Sequence, residues 1–316
     1  MNPTNYRKEL TEKIIQQLEA GTAPWVKPWK PGMTLPGAAH NAVTDRPYHG
    51  GNQLWLSCQG YADPRWCTYK QAAEQGWQVH RGEKSTTVEY WQWTENKRDD
   101  QGKLIEVKLE QPRVFYASVF NALQMENVPE YQPEALSWVP EEAAERIITN
   151  SGAVIRHDQT DSAFYSQSRD SLHLPPRSFF ADASSMYSVI LHELGHWSGH
   201  SSRLDRDLAN RFGTPEYAKE ELYAELSSYF LASRLGIPHD PGQHASYISS
   251  WIEALQKDHN EIFRAAKEAE KITEYLLTFQ HEKAHEQQTP ATITPSSQSA
   301  KPTRERKPSK DLELEC

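Results

Sequence analysis

Cysteine is scarce in this sequence: Cys58, Cys67 and Cys316 are the only three in 316 residues. Their spacing makes neither a disulfide framework nor a zinc knuckle, so a reducing setting is expected. Long apolar runs are missing too. No stretch approaches the roughly 20 consecutive apolar residues that span a bilayer, and Met1 to Lys8 holds no signal-peptide core. A soluble, cytoplasmic protein with no membrane partner is the expectation. Positive charge is not in excess either, since the formal net charge is −9. That excludes a wholly basic nucleic-acid binder but leaves room for a locally basic surface. No internal repeat is visible.

What is there reads as two blocks, in keeping with a length above that of the usual single domain. Residues 4–20 have an amphipathic helical pattern, with Leu10, Ile14 and Leu18 on one stripe, Thr4 placed as N-cap and Gly21 at the stop. Residues 22–52 carry Pro24-Trp25, Pro28-Trp29, Pro31-Gly32 and Pro36-Gly37, too much punctuation for a long regular element, and read as an ordered or binding loop. Thr68 and Gln71 have capping-box spacing ahead of Gly76, which predicts a short helix. Segments near 77–80, 86–93, 103–109 and 113–120 are rich in β-branched and aromatic residues and predict an antiparallel sheet. Three prolines between Asn127 and Pro140 mark a boundary. Beyond it, 141–150 predicts a helix, 153–156 and 171–174 short strands, and 184–200, 215–235 and 242–280 longer helices. From about 285 the composition is polar, without apolar periodicity, and predicts disorder. The expected fold class is α+β, with a small antiparallel-sheet and helix domain at 1–126, a linker at 127–139, a mostly helical domain at 140–285 and a tail at 286–316.

The chemistry concentrates in His192-Glu193-Leu-Gly-His196. Two histidines four residues apart on a helix project from successive turns of one face, while the glutamate after the first is offset toward the open side. Zinc in a catalytic site takes three protein ligands and leaves a fourth position for water, which Glu193 is placed to deprotonate. Met186, Ile190, Leu194 and Trp197 fall on the other side of the helix, the side expected to be buried. A chance match to such a short motif in a chain this size has a probability on the order of 5%. A second helix shifts the balance: Thr214, Pro215 and Glu216 announce its start, and Glu221 and Glu225 follow one turn apart. Glu221 is the expected third ligand, and Glu225 is expected to orient a ligand histidine through its free ring N–H. Glu220 is the rival ligand, and the plain alternative is that these glutamates solvate a helix face. His200 continues the i,i+4 series but is expected at the surface. Ser202 stands where a three-histidine pattern would need histidine, so a glutamate-ligated zinc site is preferred, with other divalent metals open. Tyr165, Tyr217 and Tyr223 are candidates for stabilising an oxyanion, each with packing as the alternative.

The first 93 residues hold seven of the ten tryptophans and ten Lys plus Arg against eight Asp plus Glu. Aromatic faces that stack on unpaired bases, beside cations that track phosphates, are the ingredients of single-stranded nucleic-acid binding. The alternative, that the tryptophans fill a small core, is favoured by composition alone. The series Pro24-Trp25-x-Lys27-Pro28-Trp29, Asn41-x-x-Thr44-x-Arg46-x-Tyr48-x-Gly50-x-Asn52, Thr68-x-x-Gln71-Ala72, Arg81-Gly82-Glu83-Lys84 and Val119-Phe120-Asn121-x-x-Gln124 resembles the N-terminal domain of plasmid ArdC-type antirestriction proteins, also found in TraC-type primases. The later run through His200, with Arg203-Leu204-Asp205-Arg206 and Glu220-Glu221-Leu-x-Ala-Glu225, resembles the metallopeptidase domain of the same family. The resemblance implies a conjugation-associated protein that binds single-stranded DNA and shields incoming plasmid DNA from restriction, with a zincin-like second domain. The DNA-binding candidates are then Trp25, Lys27, Trp29, Lys30, Asn41, Arg46, Tyr48, Asn52, Lys70, Arg81 and Lys84. A host restriction enzyme or another host protein is the candidate peptide substrate. The competing class is a DNA-binding protein that occludes restriction sites and whose metal is structural; an accessory module of a primase is a third.

Overall fold

The apolar stripe of the first helix finds its partners near the far end of the chain. The computed structural model describes residues 3–21, 38–98, 101, 103–131, 140–208, 214–239 and 247–280, all inside one compact unit running from Met1 to Lys283. Helix α1 (Pro3–Glu19) begins one residue before Thr4, which therefore lies within the helix and not at its cap. After β1 (His40–Asn41), helix α2 (Gly50–Ser57) occupies the end of the stretch expected to be loop. Strand β2 (Arg65–Thr68) leads into α3 (Tyr69–Glu74), where the Thr68 hydroxyl accepts from the Gln71 amide and the Gln71 side chain accepts from the Thr68 amide. Strands β3 (Gln78–Val79), β4 (Thr86–Arg98), β5 (Leu104–Asn121) and β6 (Met125–Glu126) follow.

Four strands make one sheet in the order β1-β2-β5-β4, antiparallel except for the parallel pair β1-β2. The two strands expected at 103–109 and 113–120 are one, β5. The ladder to β4 shifts register between Gln92 and Thr94, jumping from Arg113 to Lys108 on β5. Pro112 falls in the skipped stretch, where its missing N–H costs no ladder bond, so the proline marks a bulge and not a strand end.

The second block starts with α4 (Pro140–Ser151) and a three-stranded sheet, β7 (Val154–Arg156), β8 (Phe164–Ser166) and β9 (Ser171–His173), in the order β7-β9-β8. Strand β8, too short to carry a periodic signal, was not expected. Helices α5 (Ala183–Ser198) and α6 (Pro215–Leu235) come next. The single helix expected at 242–280 is two, α7 (Ile248–Lys257) and α8 (Glu261–Leu277), because the Asp258 carboxylate accepts from the Asn260 amide at 2.9 Å and turns the chain between them. The part of that prediction at 242–246, most of the expected linker and the expected tail lie outside the described residues.

Tyr6, Leu10, Ile14 and Leu18 of α1, with Leu54 and Trp55 of α2, share one hydrophobic cluster with Leu222, Leu226 and Phe230 of α6, Trp251 of α7 and Ile262 of α8. A second cluster lies on the other side of α6 and takes in Ile190, Leu191, Leu194 and Trp197 of α5. Helix α6 is therefore covered on both sides. It approaches α5 closely at Gly195, where an added Cβ would lie 2.9 Å from Ser227 Oγ and 3.2 Å from Ala224 Cα. Gly195→Ala should destabilise the fold by about 1–3 kcal/mol through overpacking, read as a lowered denaturation midpoint, whereas an unchanged midpoint would show that the seam has slack.

Candidate metal centre

Local rules set the phase of both site helices. The Asp182 carboxylate caps α5 by accepting the Ser185 amide at 2.8 Å, and Thr214 caps α6 by accepting the Tyr217 amide at 3.2 Å, with Pro215 in the first turn. With Met186, Ile190, Leu194 and Trp197 buried in the core, His192 and His196 turn toward α6. Their Nε2 atoms lie 3.1 Å apart. Glu221 completes a triangle: its Oε2 is 3.5 Å from His192 Nε2 and its Oε1 3.6 Å from His196 Nε2. Donors bound at zinc-like lengths on one tetrahedral face are separated by about 3.4 Å. The three groups thus fit one divalent cation, both in spacing and as a nitrogen–nitrogen–oxygen donor set.

The far sides of the imidazoles are also held. Glu225, fully buried, places Oε2 3.4 Å from His192 Nδ1. Glu220 places Oε1 3.2 Å from His196 Nδ1. Glu220 and Glu221 were rivals by helical phase; the structure puts Glu221 on the Nε2 side and Glu220 on the Nδ1 side. Arg206, unanticipated, clamps Glu220 with Nε and Nη2 at 3.1 and 2.7 Å, and also donates to Gly195 O at 2.7 Å and Ser198 Oγ at 2.9 Å. It comes from the loop after α5, so no helical spacing points to it; its place in the Arg203–Arg206 motif was the available signal. His200 bonds to Ser202, away from the cluster.

Burial favours neutral imidazoles, but the carboxylates outweigh it and raise His192 to about 9 and His196 to about 10. The same contacts hold Glu220 and Glu221 below the usual carboxylate range, against their own burial. Glu193 goes the other way: burial pushes its carboxyl up while the two histidines pull it down. Its Oε2 is buried with no hydrogen-bond partner among the described residues. The group opens on a cavity of about 210 Å³ that Tyr165, Val189, Tyr217 and Tyr247 also line. Another acidic cluster, His49 with Glu270 and Glu274, already holds a cation: Arg234 bonds both His49 and Glu270.

A family model described as the N-terminal domain of anti-restriction factor ArdC matches residues 4–122, and one described as a zincin-like metallopeptidase matches residues 142–268. The crystal structure of the antirestriction protein ArdC from plasmid R388, metal-free, superposes with a TM-score of 0.69 at 34% identity, covering 87% of this chain and 97% of that one. The chain belongs to the ArdC antirestriction family. The Mn(II)-bound R388 ArdC structure superposes with a TM-score of 0.68 at 33% identity. The DNA primase TraC of Escherichia coli is 50% identical over 304 residues, which is 92% of this chain but only 29% of the primase.

Of the DNA-binding candidates in this ArdC-family chain, Trp25, Lys27, Trp29 and Lys30 lie outside the described residues. Tyr48 is buried in the sheet core. Asn52 bonds both backbone groups of Glu89, and Asn41 accepts the amides of Val43 and Thr44, so both amide side chains brace the fold. Arg46, Lys70, Arg81 and Lys84 are exposed. The β4-β5 hairpin also exposes Trp91, Trp93 and Tyr116 on one face, none of them among those candidates; the spacing of the two tryptophans, two residues apart in a strand, is what the sequence offers for that shared face. Among the described residues no helix is long and apolar enough to cross a membrane.

Arg206→Leu should strip the buried Glu220 of its guanidinium, leaving only His196 Nδ1 against it, and lower stability by about 3–5 kcal/mol, measured by chemical denaturation. Mn(II) affinity, measured by calorimetry, should fall about 10- to 100-fold as the Glu220 carboxylate that orients His196 loses its clamp; unchanged affinity would detach Arg206 from the cluster.

Proposed function

We propose that this chain is an antirestriction protein that binds single-stranded DNA, protects plasmid DNA entering a cell by conjugation, and carries a zinc-dependent peptidase site. The observation that carries the peptidase reading is the His192–His196–Glu221 donor triangle with the buried, unpartnered Glu193 Oε2 beside it. The donor set suits zinc, and the R388 relative binds Mn(II). A cation held there supplies Lewis-acid polarisation of a carbonyl and lowers the pKa of water. Glu193 Oε2 accepts a proton from the attacking water and delivers it to the leaving amine nitrogen. Glu220 and Glu225 keep both imidazoles turned with Nε2 toward the cavity. Among the described residues strand β8 borders the cavity as an edge strand of its sheet, and an extended peptide laid along such an edge favours a protein substrate such as a host restriction enzyme. Glu193→Gln should retain bound metal yet abolish both protein cleavage and protection against restriction. Cleavage and protection both at the parent level would sink the peptidase reading.

A second reading, occlusion of restriction sites by DNA binding with a structural metal, draws support from the hairpin. Trp91 and Trp93 are about half exposed and stacked, with centroids 6.3 Å apart and planes 20° apart, and the Arg7 guanidinium lies 5.7 Å from the Trp91 ring. Such a surface suits unpaired bases, with stacking worth about 1–3 kcal/mol per base. Anisotropy with labelled oligothymidine should show affinity falling as salt rises and falling again in a Trp91→Ala/Trp93→Ala variant. Binding that ignores both salt and the tryptophans would count against the hairpin as the DNA surface. Protection retained in Glu193→Gln with DNA binding intact would favour occlusion.

A further inference from the structure

Three tyrosines stood as candidates for stabilising an oxyanion, and their hydroxyls separate them. Tyr165 borders the cavity, but its hydroxyl donates to Asp170 at 2.7 Å and takes a bond from Arg203; what it lends the site is its backbone amide, which supports Glu193. Tyr223 lines a different groove, with Arg264 and Glu268. Tyr217 lies one helical turn ahead of Glu221 on α6, so it projects from the same face. Its hydroxyl interacts with the Glu221 carboxylate and sits 3.4 Å from that of Tyr247, at the start of α7. Both residues line the cavity that His192, Glu193 and Val189 of α5 also line.

We propose that Tyr217 is a catalytic residue of the peptidase site, its hydroxyl donating a hydrogen bond to the oxyanion formed on the scissile carbonyl, with Tyr247 as the residue that positions that hydroxyl. The assignment rests on the peptidase reading. No bond to Tyr217 forms or breaks. The water oxygen adds to the carbonyl carbon, the C–N bond breaks, the proton held by Glu193 goes to the amine nitrogen, and Tyr217 keeps its own proton throughout. As the carbonyl oxygen gains negative charge, the hydroxyl turns from Glu221 toward it, so the bond is stronger in the transition state than in the ground state.

The test compares the full chain with Tyr217→Phe and Tyr247→Phe, which keep the rings and their packing. Three quantities are read on each: Mn(II) affinity by calorimetry, cleavage of fluorescein-labelled casein, and binding of phosphinic peptides, whose tetrahedral anion mimics the oxyanion. Tyr217→Phe should keep Mn(II) affinity within about twofold, lose about 10²- to 10³-fold in kcat with little change in KM, and lose a comparable factor for phosphinic peptides. Tyr247→Phe should show a smaller loss of the same kind. Parent-level kcat and phosphinate binding in Tyr217→Phe overturn the assignment while the peptidase reading stands. A loss that follows reduced Mn(II) affinity overturns it in favour of Tyr217 merely holding Glu221. A parent that neither cleaves casein nor binds any phosphinic peptide overturns the peptidase reading and this assignment together.

Discussion

Four carboxylates, those of Glu193, Glu220, Glu221 and Glu225, are buried in and beside the seam between α5 and α6, and the rest of the site follows from the need to offset them. If all were ionised and both imidazoles neutral, Arg206 alone would face four negative charges at low dielectric, a state a folded protein does not sustain. The carboxylates draw the pKa values of His192 and His196 upward, and burial raises that of the Glu193 carboxyl. A divalent cation answers the same demand at the same place, displacing protons from the imidazoles. Glu220 keeps its own counter-ion in Arg206, so it is not needed for the cation, whereas Glu221 has the two imidazoles and nothing stronger.

That seam is narrow because Gly195 lets α5 sit against Ala224 and Ser227. Helix α6 presents adjacent stripes: Glu221 and Glu225 toward α5, and Leu222, Leu226 and Phe230 toward the N-terminal helices. The positions that face the two histidines and the core positions differ by a single residue along one helix. Whatever rotates α6 to improve one stripe spoils the other, so packing of α1 and α2 on α6 also holds the geometry of the His192–His196–Glu221 triangle.

Local spacing made half of the site legible in the sequence. His192, Glu193 and His196 belong to one helix, and their relation depends only on helical pitch. The choice between Glu220 and Glu221 depends on how a second helix is rotated, which neighbouring residues do not reveal; in the fold Glu221 faces both Nε2 atoms, while Glu220 faces His196 Nδ1 and Arg206. The same limit explains the DNA candidates. Tyr48 and Asn52 have the types expected at a nucleic-acid surface, yet burial of Tyr48 and the Asn52–Glu89 bonds give them work inside the fold. Helices with long periodic stripes were legible; β8 and the α7–α8 break were not, being a three-residue strand and one side-chain-to-backbone bond.

The two blocks seen in the sequence meet at Arg7. Its guanidinium bonds Glu89 on the hairpin at 3.1 Å and Asn260 at 2.9 Å, and lies over the rings of Trp91 and of Phe263 on α8. Helix α8 in turn packs on α6, where the Thr273 hydroxyl reaches Ser227 O. A separation near residues 127–139 would therefore do more than cut a connection. It would expose Leu222, Leu226, Phe230 and Trp251 on one side and the stripe of α1 on the other, apolar surface that costs about 25 cal/mol per Å² to hydrate. The hairpin and the donor triangle are thus tied together through α1, α8 and α6, with Arg7 standing between the exposed tryptophans and those helices.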